Sequence, residues 1–430
     1  MGATTTELGA LPSDWRVDRF NSVFDVQQGR QVSKGNRIGD NQRPFLRTKN
    51  VFWNRLDLTD LDEMHFSKAD ETRLALKPDD LLICEGGDIG RTGIWRGAIS
   101  NCYYQNHLHR ARIRDPQTAD AQFFLFWLWY AFEFGNLYFG RGNVTTIPNL
   151  SQSKLCELPL AIPPLAEQRK IAEVLGLVQK ALEQQERLIA LTKELKKALL
   201  HQLFTQGLRG EPQKPTEIGP VPQSWEMVTL QDVCTLLSGG TPSKQKPEFW
   251  SGSIPWVSPK DMKKPRLSDV VDHISEAALE DGSSLAPAEA VFVVIRGMIL
   301  AKDVPVAMAE VPMAFNQDMK AIIPGARIMP SFLLYALVAF KQRLFQKVGR
   351  SAHGTMTLMS SEIAQFTIPL PDKRTQREVA SAIETIERKH KQHQRKHAAF
   401  TALFRTLLHQ LMTARLRVHD LGLPELENAQ

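Results

Sequence analysis

A chain of 430 residues, 43% hydrophobic and 23% charged, is long enough for roughly two to four domains with sizeable cores, which excludes a disordered or fibrous class. A net charge of +6 is compatible with a nucleic-acid partner and does not require one. The four cysteines, Cys84, Cys102, Cys156 and Cys234, form no CxxC pair, which argues against a zinc knuckle or disulfide framework and fits a reducing cytoplasm.

The opening, MGATTTELGALPSDW, lacks a basic start followed by an apolar core, so no signal peptide is expected. Leu11-Pro-Ser-Asp-Trp15 leads into an apolar stretch and a glycine turn, Gln28-Gly29-Arg30. Short strands are predicted at 81–84 and 94–95, with a Gly-rich segment, 85–93, between them. A helix is predicted around 121–138. Its apolar run, 123–132, is shorter than the roughly 20 residues a bilayer span needs, so it reads as a buried helix rather than a membrane anchor.

After Pro163-Pro164 the chain holds no proline until Pro212. Apolar residues fall at Ile171, Leu175, Val178, Leu182 and Ile189, with Leu188, Leu191, Leu195, Leu199 and Leu203 beyond, in steps that predict one apolar face. About 40 residues of helix make a rod of roughly 60 Å.

Then the chain repeats itself. Val221-Pro-Gln-Ser-Trp225 echoes the opening, Ser238-Gly239-Gly240 echoes the glycine turn, and Phe315-Asn-Gln-Asp-Met319 echoes Tyr104-Gln-Asn-His-Leu108. A strand at 291–295 and a helix at 331–347 take the corresponding places. Gln376-Arg377 matches Gln168-Arg169, and Leu407-Leu-His-Gln-Leu411 matches Leu199-Leu-His-Gln-Leu203. The offset, about 210 residues, is far too long for a solenoid and implies one two-part unit used twice.

The second rod starts after Pro371, with a stripe of Ile383, Ile386, His390, His393, His397, Phe400, Phe404, Leu407 and Leu411 at coiled-coil spacing. Its three histidines could hold a metal by spacing, but no Cys or carboxylate lies on that face, so a polar, register-setting stretch of the seam is the preferred reading. Residues 373–417 hold eleven Lys/Arg against three Asp/Glu, and 165–209 eight against five, so the rods differ in charge. Two such rods in one chain most simply pack antiparallel. The fold class expected is α+β, two similar globular domains each followed by a long helix.

This plan resembles type I restriction–modification DNA-specificity subunits along nearly the whole chain. The resemblance rests on the Leu/Val-Pro-x-x-Trp openings, on Pro163-Pro-Leu-Ala-Glu-Gln-Arg169, and on the Leu-Leu-His-Gln-Leu strings. The second copy departs from the Pro-Pro-Leu-Ala-Glu-Gln-Arg pattern, reading Pro371-Asp-Lys-Arg-Thr-Gln-Arg377. The resemblance implies target-recognition domains at 1–163 and 211–371, spacer helices at 164–210 and 372–418, and a tail at 419–430. It implies that each recognition domain reads half of a split double-stranded DNA site. The helices then dock two methyltransferase subunits, with restriction–translocation subunits completing the complex.

No catalytic residue or metal ligand is expected here. The string Ile162-Pro-Pro-Leu165 lacks the polar group of an adenine methyltransferase turn, and there is no GxxxxGK[ST] or HExxH. S-adenosylmethionine, and ATP and Mg, are accordingly expected in partner subunits. The alternatives are a methyltransferase or nuclease with a divergent site, and a non-catalytic coiled-coil scaffold. Salt-sensitive DNA binding counts against the scaffold.

Donor side chains near Gly-rich turns are the candidate DNA contacts. In the first copy these are Lys49, Asn50, Arg91, Arg110, Arg141, Asn143, Thr145 and Thr146. The matching set in the second is Lys260, Arg296, Lys302, Lys320, Arg350, His353 and Thr355.

Overall fold

The computed structural model describes residues 3–138, 150–351 and 354–422. It divides into two units, one formed by 1–186 with 395–430 and the other by 187–394.

In the first unit, β1 (Phe24–Gln28), β2 (Leu81–Cys84), β3 (Thr92–Ile94) and β4 (Leu108–Ile113) form an antiparallel sheet in the order β3-β2-β4-β1. Every residue of β2 is buried, because the sheet is covered on one face by helix α1 (Ala121–Trp129) and on the other by a smaller three-stranded sheet. The run 123–128 is wholly buried in this core, and the chain continues from α1 through one π-turn, Tyr130–Phe134. No helix among the described residues is long and apolar enough to cross a membrane. The four cysteines are unpaired.

Two long helices occupy the places of the predicted rods, α2 (Leu165–Gln206) and α4 (Lys373–Met412); α3 (Pro330–Gln346) is the second unit's counterpart of α1. The second unit's sheet is built from β5 (Cys234–Ser238), β6 (Arg266–Leu267), β7 (Val291–Val294), β8 (Val306–Ala309) and β9 (Met319–Pro324). Its order is β5-β9-β7-β8-β6, the first unit's order with one parallel edge strand added.

The repeat extends to single hydrogen bonds. In the first unit Gln168 is buried at the start of α2. Its Oε1 accepts from the Asp120 N–H (2.9 Å), and its Nε2 donates to the Thr118 (3.0 Å) and Pro163 (2.8 Å) carbonyls. Gln376 does the same in the second, accepting from Met329 N–H (2.8 Å) and donating to Arg327 (3.1 Å) and Pro371 (2.9 Å) carbonyls. One amide thus ties the long helix to its globular part and caps the approach to α1 or α3. That is the physical content of the repeated Gln-Arg.

Within each unit α2 and α4 run antiparallel. In the first, Ile171, Ala172 and Leu175 share a core with Phe404, Leu408, Leu411 and Met412. In the second, Leu200, Leu203 and Phe204 share one with Val379, Ala380 and Ile383. The surroundings differ. Phe404 packs on Trp129 (5.0 Å), which stacks on Trp53 (5.5 Å). At the matching place in the second unit, Lys196 and Tyr335 both bond Glu387, and Arg266 pairs with Glu384 (2.6 Å). His397 approaches Glu186 (3.3 Å), and His390 bonds Thr192 Oγ1 (2.9 Å), so these two histidines meet polar partners on α2. Among the described residues no three His, Cys, Asp or Glu side chains gather as a metal site would require.

Candidate nucleic-acid interface

The second unit gathers most of its candidates at one end of its sheet. The chain leaves β7 through Ile295 and Arg296 into a short 3-10 turn, Met298–Ala301, and on to Lys302. Gly297, with φ of 125°, makes the bend that an L side chain would resist. Beside it lies the hairpin Gly349–Arg350 with Met356–Thr357: the Gly297 N–H donates to the Met356 carbonyl (3.0 Å), and Arg296 bridges Thr357. Arg296, Lys302 and Arg350 are exposed. Thr355 is half-buried, its carbonyl bonded by the Ser351 N–H (2.9 Å). Lys320 lies opposite Ser238 in the register and donates to its hydroxyl (2.5 Å). Lys260 sits apart, exposed on the turn Pro259–Asp261 and paired with Asp272 (2.6 Å). His353 lies outside the described residues.

The first unit treats its candidates differently. Lys49 is exposed on the turn Thr48–Asn50 and paired with Asp60 (2.7 Å), as Lys260 is with Asp272. Asn50 is buried. It accepts from the Arg47 N–H (2.9 Å) and donates to the Asp57 (3.1 Å) and Asp60 (3.0 Å) carbonyls, so its amide is committed to holding the turn. Arg91 donates to the Thr48 carbonyl (2.9 Å), pairs with Asp88 and lies over the Phe52 ring (5.3 Å). Arg110 is buried against Asp25. Burial and internal partners thus leave Asn50 and Arg110 as internal supports, where the sequence pointed to groove-facing donors. Arg141, Asn143, Thr145 and Thr146 lie outside the described residues.

Arg110 and Lys320 are not equivalent. The register puts His109 opposite Gln28 and Lys320 opposite Ser238, so Lys320 corresponds to His109 and Arg110 to Ala321. A shift of one residue along a strand moves a side chain to the other face. His109 itself is buried, its Nε2 at 2.8 Å from the Leu150 carbonyl. Burial holds its pKa below the usual 6.5, so it is neutral near pH 7.

One basic segment escaped the sequence reading. Immediately after each glycine turn the chain runs over the surface as Ser33-Lys34-Gly-Asn-Arg37 or as Ser243-Lys244-Gln-Lys246, and Lys34, Arg37, Lys244 and Lys246 are exposed. The shared Ser-Lys at the repeat offset was the available signal.

The sequence profile of the type I restriction modification DNA specificity domain matches residues 12–193 and again 222–399. The chain is 34% identical over 164 residues to the EcoR124I/EcoR124II specificity subunit of Escherichia coli, a stretch covering 38% of this chain and 41% of that one. It is 21% identical over 442 aligned positions to the MjaVIII specificity subunit of Methanocaldococcus jannaschii, covering 96% and 95% of the two chains. The type I restriction–modification S subunit from M. genitalium shares the fold, with a TM-score of 0.56 at 18% identity over 95% of this chain and 99% of that one. The match with the E. coli relative spans less than half of that protein's length. Two domain matches that together cover most of the chain place it in the family of type I restriction–modification DNA-specificity subunits.

Proposed function

We propose that this chain reads a bipartite double-stranded DNA site, one half with each unit, and has no catalytic chemistry of its own. The observation that carries this reading is the contrast inside the repeat. Sheet order, strand register and the Gln168/Gln376 anchor are kept, while the exposed turns at the sheet ends differ in charge and apolarity. A constant scaffold carrying two different reading surfaces suits a target with two different halves. The DNA contacts proposed are Lys49, Lys260, Arg296, Lys302, Lys320, Arg350 and Thr355, with Arg91 as a support. Arg141, Asn143, Thr145, Thr146 and His353 complete the set by their sequence.

The division into recognition domains at 1–163 and 211–371, with helical spacers between and after them, belongs to the same proposal. So do the partners. Leu188, Leu191 and Leu195, which the sequence stripe assigned to the packed face of the rod, are instead exposed on α2 at steps of three and four, and Leu177 and Leu403 are exposed in the first unit. Each unit therefore offers an apolar helical surface to one of two methyltransferase subunits, which would supply S-adenosylmethionine chemistry. Restriction subunits would bring ATP and Mg, and the whole would work in the cytoplasm.

The test is a genome-wide map of N6-methyladenine in the native host with and without this gene. The expected result is loss of one motif made of two short half-sites with a fixed gap. An unchanged methylome, together with no methyltransferase copurifying with the chain, overturns the reading.

A further inference from the structure

The turn that carries Arg296 and Lys302 also displays Met298 and Ile299, 62% and 39% exposed, and Met359 beside it is 63% exposed. Single exposed apolar side chains are ordinary. Here they stand on a turn whose backbone is fixed. Ile295 N–H donates to the Asp318 carbonyl (2.8 Å), Leu358 N–H to Ile295 (2.8 Å), Gly297 N–H to Met356 (3.0 Å), and Leu300 N–H to Gly297 (3.1 Å). Leu300 is fully buried and anchors the turn, while Met298 and Ile299 before it stay exposed.

The surroundings are basic. Arg296, Lys302 and Arg350 are exposed nearby, while the nearby carboxylates have cationic partners, Asp318 with Arg296 (3.9 Å), Asp303 with Lys341 (2.8 Å) and Glu362 with Lys347 (3.3 Å). The first unit builds the same turn without these features. Glu85 N–H donates to the His107 carbonyl (3.0 Å) and Leu150 N–H to Glu85 (2.8 Å), matching Ile295 bond for bond. Beyond Glu85 the chain reads Gly86-Gly87-Asp88-Ile89-Gly90, with Ile89 half-buried and Gly90 closed onto the Phe132 ring.

We propose that the 296–302 turn is an apolar wedge, with Met298 and Ile299 entering the DNA between two adjacent base pairs of the half-site read by the second unit. Arg296, Lys302 and Arg350 would hold the flanking phosphates. Proteins that part a base step do so with side chains of this kind, flanked by cations. The deformation makes the second half-site sensitive to how easily its steps unstack. The corresponding turn of the first unit has glycines and Asp88 in place of the exposed apolar pair. This inference rests on the DNA-reading proposal above.

The test uses the complex purified with its methyltransferase subunits and duplexes carrying the motif found by methylation mapping, with 2-aminopurine placed at each position in turn. With the unaltered chain, one step of the second half-site should brighten severalfold. Met298→Ser with Ile299→Ser should remove that signal and weaken binding roughly tenfold, the scale of one mismatched pair. Arg296→Gln should keep the signal and flatten the dependence of binding on salt. Brightening at the target adenines, which the methyltransferase subunits take out of the stack in either half-site, should be the same with the unaltered and double-serine chains at saturating protein. Equal fluorescence from unaltered and double-serine complexes at every position, with motif binding intact, overturns the wedge and leaves the reading standing. So does loss of methyltransferase association in the variant without any change in DNA fluorescence, which would make the patch a protein contact. Absence of motif-specific binding by the unaltered complex overturns both.

Discussion

Arg417 carries more of the first unit's closure than its place near the chain end suggests. Its guanidinium donates to both Glu167 oxygens (2.7 and 2.8 Å) and to both Asp14 oxygens, while Glu167 also accepts from the Trp15 indole (3.0 Å). Arg417 is 14% exposed and Glu167 8%, so removing the cation leaves a nearly buried carboxylate unpaired. Arg417→Met should therefore cost about 2–3 kcal/mol of stability in urea unfolding. The hydrogen bond from Arg417 holds the Asp14 carboxyl below its usual 3.8. A depressed carboxyl pKa contributes stability that is complete above the usual value and is lost as the pH falls through the lower one. Below about pH 4 the unaltered protein should thus lose urea resistance more steeply than Asp14→Asn. At this scale the sequence revealed residue type well and orientation poorly. Trp15 and Trp225 were marked by the repeat, and both are buried. Asn50 and Arg110 have the chemistry of DNA donors, yet burial, which depends on distant strands, turns them inward.

The elements are positioned by two repeated devices. Gln168 and Gln376 each satisfy three backbone groups from inside the protein. Gln168→Leu or Gln376→Leu keeps the bulk and strands those groups, for an expected loss of about 2–4 kcal/mol in each unit. Gln168→Glu should be worse, because a carboxylate would face the Thr118 and Pro163 carbonyls. The second device is the glycine after β1 and β5. A Cβ on Gly29 would lie 2.3 Å from the Gln105 carbonyl oxygen, and one on Gly239 2.3 Å from that of Asn316. These neighbours are backbone and cannot swing aside, so Gly29→Ala and Gly239→Ala should each lower the melting temperature of the chain, with no rescue from trimming nearby side chains. Both devices were visible as repeated letters, since each needs one residue type at one place. The strands of two to four residues in the smaller sheets were not, because so short a run has no period to read.

At the scale of the molecule, the chain's end belongs with its beginning. Residues 395–430 fall in the same unit as 1–186, and Phe404, Leu408, Leu411 and Met412 are buried in the core that holds Leu11, Trp15 and α1. The antiparallel rods inferred from sequence require this, since a helix that starts in the second unit must finish in the first. A truncation after Gln394 tests it. The cut leaves Val379, Ala380 and Ile383 in the second unit's core and removes four large apolar side chains, and the Arg417 clamp, from the first. Loss of a single buried leucine commonly costs about 2–5 kcal/mol, and whole domains hold only about 5–15, so the first unit should not survive the cut. In hydrogen exchange, peptides from 3–138 should lose protection to near the unfolded limit, while peptides from 221–346 should exchange as they do in the full chain. Protection lost from both regions together would show that the two units unfold as one. Protection kept in both would mean that the C-terminal half of α4 contributes little to the core it enters.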